Sequence, residues 1–308
     1  MFNLPSPLQK INHPIATQFG IKLFVKRDDL IHPEISGNKW RKLKFNIEKF
    51  TQKKYASILT FGGAYSNHIA ATAASGKLLN IPTIGIIRGE ELNTNSNETL
   101  KKAHKNGMKL VFVSRSKYGE RYERMYHEAL RVEFGNTLII NEGGANFHGV
   151  IGSGEIVAEL DFTPDYIYSA SGTGTTVAGL LLTSATTKIV SVPVFKNGGF
   201  IKDEVKNLLI QFQFNEDELN EKMDLLDLNL DHHFGGYGKH TPELIDFIND
   251  FYHATNLKLD QVYTAKMMYA LLDDIKSGKI KTGSEVVALH TGGLQGLSSI
   301  ETQLDFNL

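Results

Sequence analysis

"YIYSASGTGTTVAGLLL", residues 166–182, passes from an aromatic and aliphatic segment through Gly172-Thr173-Gly174-Thr175-Thr176 into a run of small and aliphatic residues. The opening segment is nearly continuously apolar and ends in Ser-Gly, which predicts a strand buried on both faces. The closing run predicts an apolar helix. A strand that turns through glycines onto a helix N-terminus is a unit of an α/β sheet and a candidate phosphate cup. Glycine lets backbone N–H groups approach an anion, and hydroxyls and the helix end donate to it. No lysine follows the second glycine, so this is not a P-loop. The next glycine is Gly179 rather than residue 177, so the dinucleotide fingerprint is absent. A capped tight turn is the alternative that this stretch alone leaves open.

The same alternation recurs along the chain. Strands are predicted at 22–28, 56–63, 83–89, 109–114, 137–144, 166–172, 188–195 and 285–293, and most end in Gly or Ser. Amphipathic or apolar helical runs lie between them, at 40–50, 66–79, 97–107, 122–134, 154–162, 176–185, 242–255 and 265–279. This predicts an α/β protein with doubly wound, mostly parallel sheets. The acidic stretch 215–231 is expected to be a surface helix and loop. In such sheets a ligand sits at the carboxyl ends of the strands, so the glycine-rich exits are where a site belongs.

Bulk composition narrows the function. The 308 residues allow about two domains on a prior of roughly 150 residues each. Lys+Arg number 33 and Asp+Glu 34, a net charge of −1, which gives no reason to expect nucleic acid or an anionic membrane as partner. There is no cysteine, which removes disulfides, thiolate metal sites and cysteine nucleophiles and fits a cytoplasmic protein. No run approaches the roughly 20 apolar residues of a membrane span.

Three more exits carry chemistry. "TFGGAYSNHIAATAASG" (60–76) puts Ser66, Asn67 and His68 at the start of a small-residue helix; Ser66 also suits an N-cap. "HHFGGYGKH" (232–240) matches no metal-site spacing, so no metal is expected, but Tyr237 between two glycines is placed to reach a substrate. "VALHTGGLQG" (287–296) offers Thr291.

"EISGNKWRKLKF" (34–45) sets Lys39 and Lys42 three apart at the start of a helix whose core stripe is expected to be Trp40, Leu43, Ile47 and Phe50. Two ammonium groups near the positive end of a helix repel unless an anion meets them. The same crowding lowers the pKa of a lysine, as a Schiff-base nucleophile requires. A phosphorylated aldehyde meets both demands.

Together, "KRDDL", "SGNKWRKL", "GGAYSNH", "SGTGTT", "GYG", "LDQVYTAK" and "HTGG" resemble the pyridoxal-phosphate enzymes that include 1-aminocyclopropane-1-carboxylate (ACC) deaminase and D-cysteine desulfhydrase, with a tryptophan-synthase-β-like fold, from about residue 5 to 298. The resemblance implies fold type II: a large domain of 1–41 and 153–308, a small domain of 42–152, and pyridoxal 5'-phosphate in the cleft between them. It also implies that Lys39 binds the cofactor aldehyde and that Lys42 and Gly172, Thr173, Gly174, Thr175 and Thr176 bind its phosphate. By the same carry-over Asn67 meets the pyridoxal hydroxyl, Ser66 the substrate carboxylate or a proton in transit, and Tyr237 and Tyr263 the substrate. A homodimer is the family's habit.

One departure bears on the reaction. Where ACC deaminase has Tyr-Glu, this chain has Tyr263-Thr264. A hydroxyl beside the pyridine nitrogen, from Thr264 or Thr291, leaves that nitrogen unprotonated and favours β-elimination over ring opening. The expected activity is therefore D-cysteine desulfhydrase-like α,β-elimination on a small amino acid, giving a keto acid and ammonia. ACC deaminase is the alternative within the family. A phosphate-ligand binder without covalent lysine chemistry is the alternative from another class.

Overall fold

The computed structural model of the protein describes residues 2–35 and 37–307; Ser36 of the SGNK motif lies outside the described residues. Ten strands are present among them. In chain order these are β1 (Leu8–Ile11), β2 (Lys22–Lys26), β3 (Ser57–Gly62), β4 (Thr83–Arg88) and β5 (Lys109–Val113), then β6 (Thr137–Ile140), β7 (Tyr166–Ser171), β8 (Lys188–Pro193), β9 (Leu226–Leu228) and β10 (Glu285–Leu289). The helices are α1 (Pro14–Gln18), α2 (Lys39–Lys53), α3 (Asn67–Leu79), α4 (Glu98–Lys105), α5 (Arg115–Gly119) and α6 (Arg124–Phe134). They continue with α7 (Phe147–Ala158), α8 (Thr175–Thr183), α9 (Ile201–Ile210), α10 (Glu216–Asp224), α11 (Pro242–Thr255) and α12 (Thr264–Lys276).

The chain divides into two compact units, Met1–Asn38 with Ser153–Leu308, and Lys39–Gly152. The first holds a six-stranded sheet in the order β1-β2-β10-β7-β8-β9, and the second a four-stranded sheet in the order β5-β4-β3-β6. Among the described residues only the β1–β2 pair is antiparallel; every other pairing is parallel. Non-consecutive neighbours such as β2–β10 and β3–β6 require crossover connections, so the doubly wound, mostly parallel α/β architecture read from the sequence is the one observed. Every residue of β3 is buried, as are five of the six in β4, β7 and β8, because helices cover both sheet faces.

Local chemistry sets the helix ends. The Ser66 hydroxyl accepts from Ile69 N at 3.3 Å and caps α3, which ends at Asn80 with a left-handed φ of 55°. Thr241 caps α11, and Pro242 stands at its first position, where its missing N–H is harmless.

Several elements depart from the sequence expectation. Residues 226–228 form the edge strand β9 beside β8 rather than a loop after the acidic helix α10. A three-residue Leu-Asp-Leu strand carries too little pattern to stand out among acidic residues. Helix α7 starts at Phe147, seven residues before its predicted start, through three glycines of low helix propensity. Those glycines serve packing. A Cβ at Gly152 would overlap the Arg41 carbonyl, and one at Gly154 would meet Thr183 Cγ2 at 2.8 Å. Helix α9 was absent from the prediction, although Ile201, Val205, Leu208 and Leu209 form its buried stripe at helical spacing. Among the described residues no helix is long and apolar enough to cross a membrane.

Candidate active site

The cup opens where β7 ends at Ser171. Gly174, with φ of +70°, is the N-cap of α8 and brings no side chain, so the first turn of this nine-residue helix has no side-chain cap. Around that end stand Thr175 and Thr176, both buried, and Thr173, whose hydroxyl lies 2.9 Å from that of Thr175. An uncapped helix N-terminus ringed by hydroxyls is suited to a phosphate dianion. The geometry fits that group without an added cation from this unit.

Asn38 ties another motif to the cup. Its side-chain amide donates to Thr176 Oγ1 at 2.7 Å, and both residues are buried. A neutral bond of this kind contributes about 0.5–1.5 kcal/mol, and its geometric effect is the larger one. Gly37, with φ of +65°, lies directly against the Thr291 carbonyl and Gly292 N, and a Cβ there would overlap both. The Gly-Asn pair preceding Lys39 is therefore held between the "HTGG" exit after β10 and the start of α8. The His290 ring steadies that exit, with Nε2 2.7 Å from Lys258 O and Nδ1 accepting from Gly292 N at 3.3 Å.

Two tyrosines adjoin the cup. A Cβ on Gly172 would lie 3.5 Å from both Cε1 and the hydroxyl of Tyr263, so this ring lies over the first cup glycine. Tyr237 meets Tyr263 edge-on, with centroids 6.3 Å apart, and stacks on Phe195 at 5.5 Å. Tyr237 is 45% exposed, which leaves its ring accessible to a ligand.

Thr264 opens α12. It is fully buried at the start of α12; its hydroxyl donates to Asp260 Oδ1 at 2.7 Å and accepts from Asp260 N at 2.7 Å. The Asp260 carboxylate also receives the backbone N–H groups of Val262, Tyr263 and Thr264 at 2.8–2.9 Å. Thr264 and Asp260 thus close the α12 N-terminus upon themselves. The Thr264 hydroxyl hydrogen is used there, and Thr291 is half-buried beside Gly37.

The other unit contributes a cationic cluster. Lys39 opens α2 and is half-buried, while Lys42 one turn on is buried. Burial first, and then the Lys39 charge, hold the Lys42 amine well below its usual range. The helix does not bury the simple apolar stripe expected of it. Ile47 and Phe50 are half-buried, whereas Arg41, Lys42 and Asn46 are buried. A helix that buries cations is arranged around something other than a hydrocarbon core.

Ser66 and Asn67 stand at the start of α3, followed by the buried His68. Thr60 Oγ1 donates to Ile140 O at 2.8 Å and lies 2.9 Å from His68 Nε2. A carbonyl only accepts and a hydroxyl has one hydrogen, so Nε2 carries the proton toward Thr60. Nδ1 is then a bare lone pair, with no hydrogen-bond partner among the described residues. Burial, then the charges of Lys39 and Lys42, push the pKa of this ring well below the usual histidine range. Gly144, with φ of +76°, makes room here: a Cβ on it would meet Lys42 Cβ at 2.9 Å and His68 Cε1 at 3.5 Å.

The structure therefore groups Gly172–Thr176, Tyr237, Tyr263 and Thr291 in one unit, and Lys39, Lys42, Ser66, Asn67 and His68 in the other. The sequence reading gave no role to Asn38, Asp260 or Lys266. Asn38 stood beside the lysine under scrutiny. Asp260, four residues before Thr264, fits the spacing of a side chain that accepts from backbone N–H groups at a helix start. Lys266 is a lone cation inside the apolar run of α12.

Two outcomes follow from these hydrogen bonds. Nitrogen-15 NMR of the apo chain should show His68 neutral with the proton on Nε2 from about pH 6 to 8; a protonated Nδ1 in that window contradicts the assignment. Thr264→Val should lower unfolding free energy by about 1–3 kcal/mol, since it strands buried Asp260 groups, and should leave the spectrum of bound cofactor unchanged. A spectral shift at unchanged stability would instead place this hydroxyl at the pyridine ring.

A family model described as pyridoxal-phosphate dependent enzyme matches residues 2–292. The chain is 32% identical to a putative 1-aminocyclopropane-1-carboxylate deaminase of Pyrococcus abyssi, over 95% of this chain and 90% of that protein. It is 30% identical to the bifunctional D-cysteine desulfhydrase/1-aminocyclopropane-1-carboxylate deaminase of Arabidopsis thaliana, over 96% of this chain and 78% of that one. Among solved structures, an ACC deaminase homologue superposes with a TM-score of 0.80 at 26% identity, covering 98% of this chain and 95% of the other. Threonine deaminase isoform 2 of Solanum lycopersicum shares the fold, with a TM-score of 0.68 at 15% identity over 98% of this chain and 83% of that one. The chain belongs to the pyridoxal-phosphate dependent enzymes, in the group that contains ACC deaminase and D-cysteine desulfhydrase.

Proposed function

We propose that the protein catalyses α,β-elimination on a small amino acid, as a D-cysteine desulfhydrase does, releasing a keto acid and ammonia. The observation that carries this is at residues 260–264. Where the resemblance places a glutamate in ACC deaminases, this chain has Thr264, and the nearby Asp260 carboxylate is closed by three backbone N–H groups and the Thr264 hydroxyl. No free carboxylate from this segment is offered to a pyridine nitrogen, which disfavours opening a ring that lacks an α-hydrogen. ACC deaminase is the second reading, favoured by the names of the relatives.

In this proposal Gly172–Thr176 hold the phosphate through backbone N–H groups and hydroxyls, with Lys42 as the cation. Lys39 takes the aldehyde, Asn67 the ring hydroxyl and Thr291 the pyridine nitrogen. When bound, pyridoxal phosphate supplies the electron sink for a carbanion at the substrate α-carbon. Lys39 removes the α-proton as a general base and returns a proton at the end of the cycle. The Ser66 hydroxyl accepts from Ile69 N and keeps its hydrogen to donate to the substrate carboxylate. Tyr263 and Tyr237 orient the substrate beside the cup. Neutral His68 adds no third positive charge to the Lys39–Lys42 pair. The proposed setting is a cytoplasmic homodimer, a reading supported by the cysteine-free composition for the location and by the family's habit for the assembly.

A keto-acid assay across D-cysteine, L-cysteine, β-chloro-D-alanine, D-serine and ACC tests this. Turnover of a substrate with a β-leaving group should exceed that of ACC; a preference for ACC would replace the first reading by the second. Lys39→Ala should abolish turnover. Lys42→Ala should weaken cofactor binding by about 1.5–3 kcal/mol, the worth of one charge-assisted contact, and an unchanged affinity would remove Lys42 from the phosphate site.

A further inference from the structure

Among the buried cations that the mechanism above leaves unused is one on α12. Lys266 on α12 is fully buried, and its Nζ donates to the carbonyls of His233 and Gly236, each at 2.8 Å. Burial pushes this amine down to about 8, with the Asp260 carboxylate pulling the other way. An ammonium this deep needs close acceptors, and here the acceptors are both main-chain atoms of one loop.

The loop is shaped for that contact. Phe234, Gly235, Gly236 and Gly238 all have positive φ, at 47°, 91°, 110° and 70°. The left-handed run from 234 to 236 brings the carbonyls on either side of Phe234-Gly235 to the same amine. Phe234 anchors the inner side, its ring edge-on to Tyr269 with centroids 5.0 Å apart. Tyr237 follows at once on the outer side, stacked on Phe195 and edge-on to Tyr263. A glycine-rich loop has high conformational entropy when released, so the orientation of Tyr237 depends on what pins residues 233–236.

We propose that Lys266 is a positioning residue, a main-chain clasp that fixes the 232–239 loop so that Tyr237 is presented to the substrate. It acts through Tyr237 and touches neither substrate nor cofactor. The inference rests on the reading of Tyr237 as substrate-facing.

The test compares the unsubstituted chain with Lys266→Met, which fills the same space without a donor, and with Lys266→Gln, which keeps a donating NH2 group. Hydrogen exchange followed by mass spectrometry on the apo chains reads the loop directly. Lys266→Met should raise exchange at 232–239 while α12 keeps its protection, and Lys266→Gln should restore part of the loop protection. On the substrate that turns over best, Lys266→Met should raise KM by about tenfold with a smaller change in kcat. Unchanged exchange in the loop overturns the proposal, as does faster exchange with KM unmoved. If neither substituted chain folds, Lys266 is a requirement of the core and the positioning role is overturned. If the unsubstituted chain turns over none of the amino acids, the assigned activity fails, and the exchange result alone decides the clasp.

Discussion

The hydrogen bond from Asn38 to Thr176 fixes where the chain leaves one unit to begin α2. Asn38 ends the first of the two segments that make up the unit carrying the cup, and Lys39 is the next residue along. Gly37 reinforces the constraint, since its left-handed backbone lies against the Thr291 carbonyl with no room for a side chain. Gly37 and Asn38 are thus secured by two glycine-rich strand exits, those of β10 and β7. Positions that sit 138 residues apart in sequence are brought together by a single amide–hydroxyl contact.

Charge is the second organising constraint. Lys42 is buried with Lys39 as its charged neighbour, and burial first, then the charges of both lysines, hold the pKa of His68 well below the usual histidine range. For Lys42 the sign is that of a base with a lowered folded pKa. The folded chain disfavours the ammonium that an unfolded chain carries below its ordinary pKa, so the apo protein loses stability as pH falls into that range. A dianion reverses the penalty by stabilising the charged form. On the cup side, the α8 N-terminus lacks a side-chain cap and is surrounded by hydroxyls. Each unit, taken alone, therefore has an electrostatic feature that an anion completes.

Much of the architecture was legible because parallel strands buried on both faces write long apolar runs that end in glycine. β3, β4, β7 and β10 are of this kind. The edge strand β9 was not legible, because three residues at a sheet edge need neither length nor a buried pattern. The start of α7 was hidden because Gly152 and Gly154 read as helix breakers while serving as contact points for Arg41 and Thr183. In the site, residue types in order were enough to nominate Lys39, Lys42 and the cup. What they could not disclose was how hydroxyls are spent. Thr264 reads as a free donor and is held by Asp260, and Lys266 reads as one more lysine on a helix while its amine holds two loop carbonyls.

Whether Lys39 is the residue that carries the cofactor is the claim on which the remaining assignments hang. Borohydride reduction of the yellow holoprotein, followed by digestion and mass spectrometry, would locate the pyridoxyl label. The account predicts a single label on Lys39. A label on Lys42 or any other lysine, or none at all on a fully loaded protein, would contradict it.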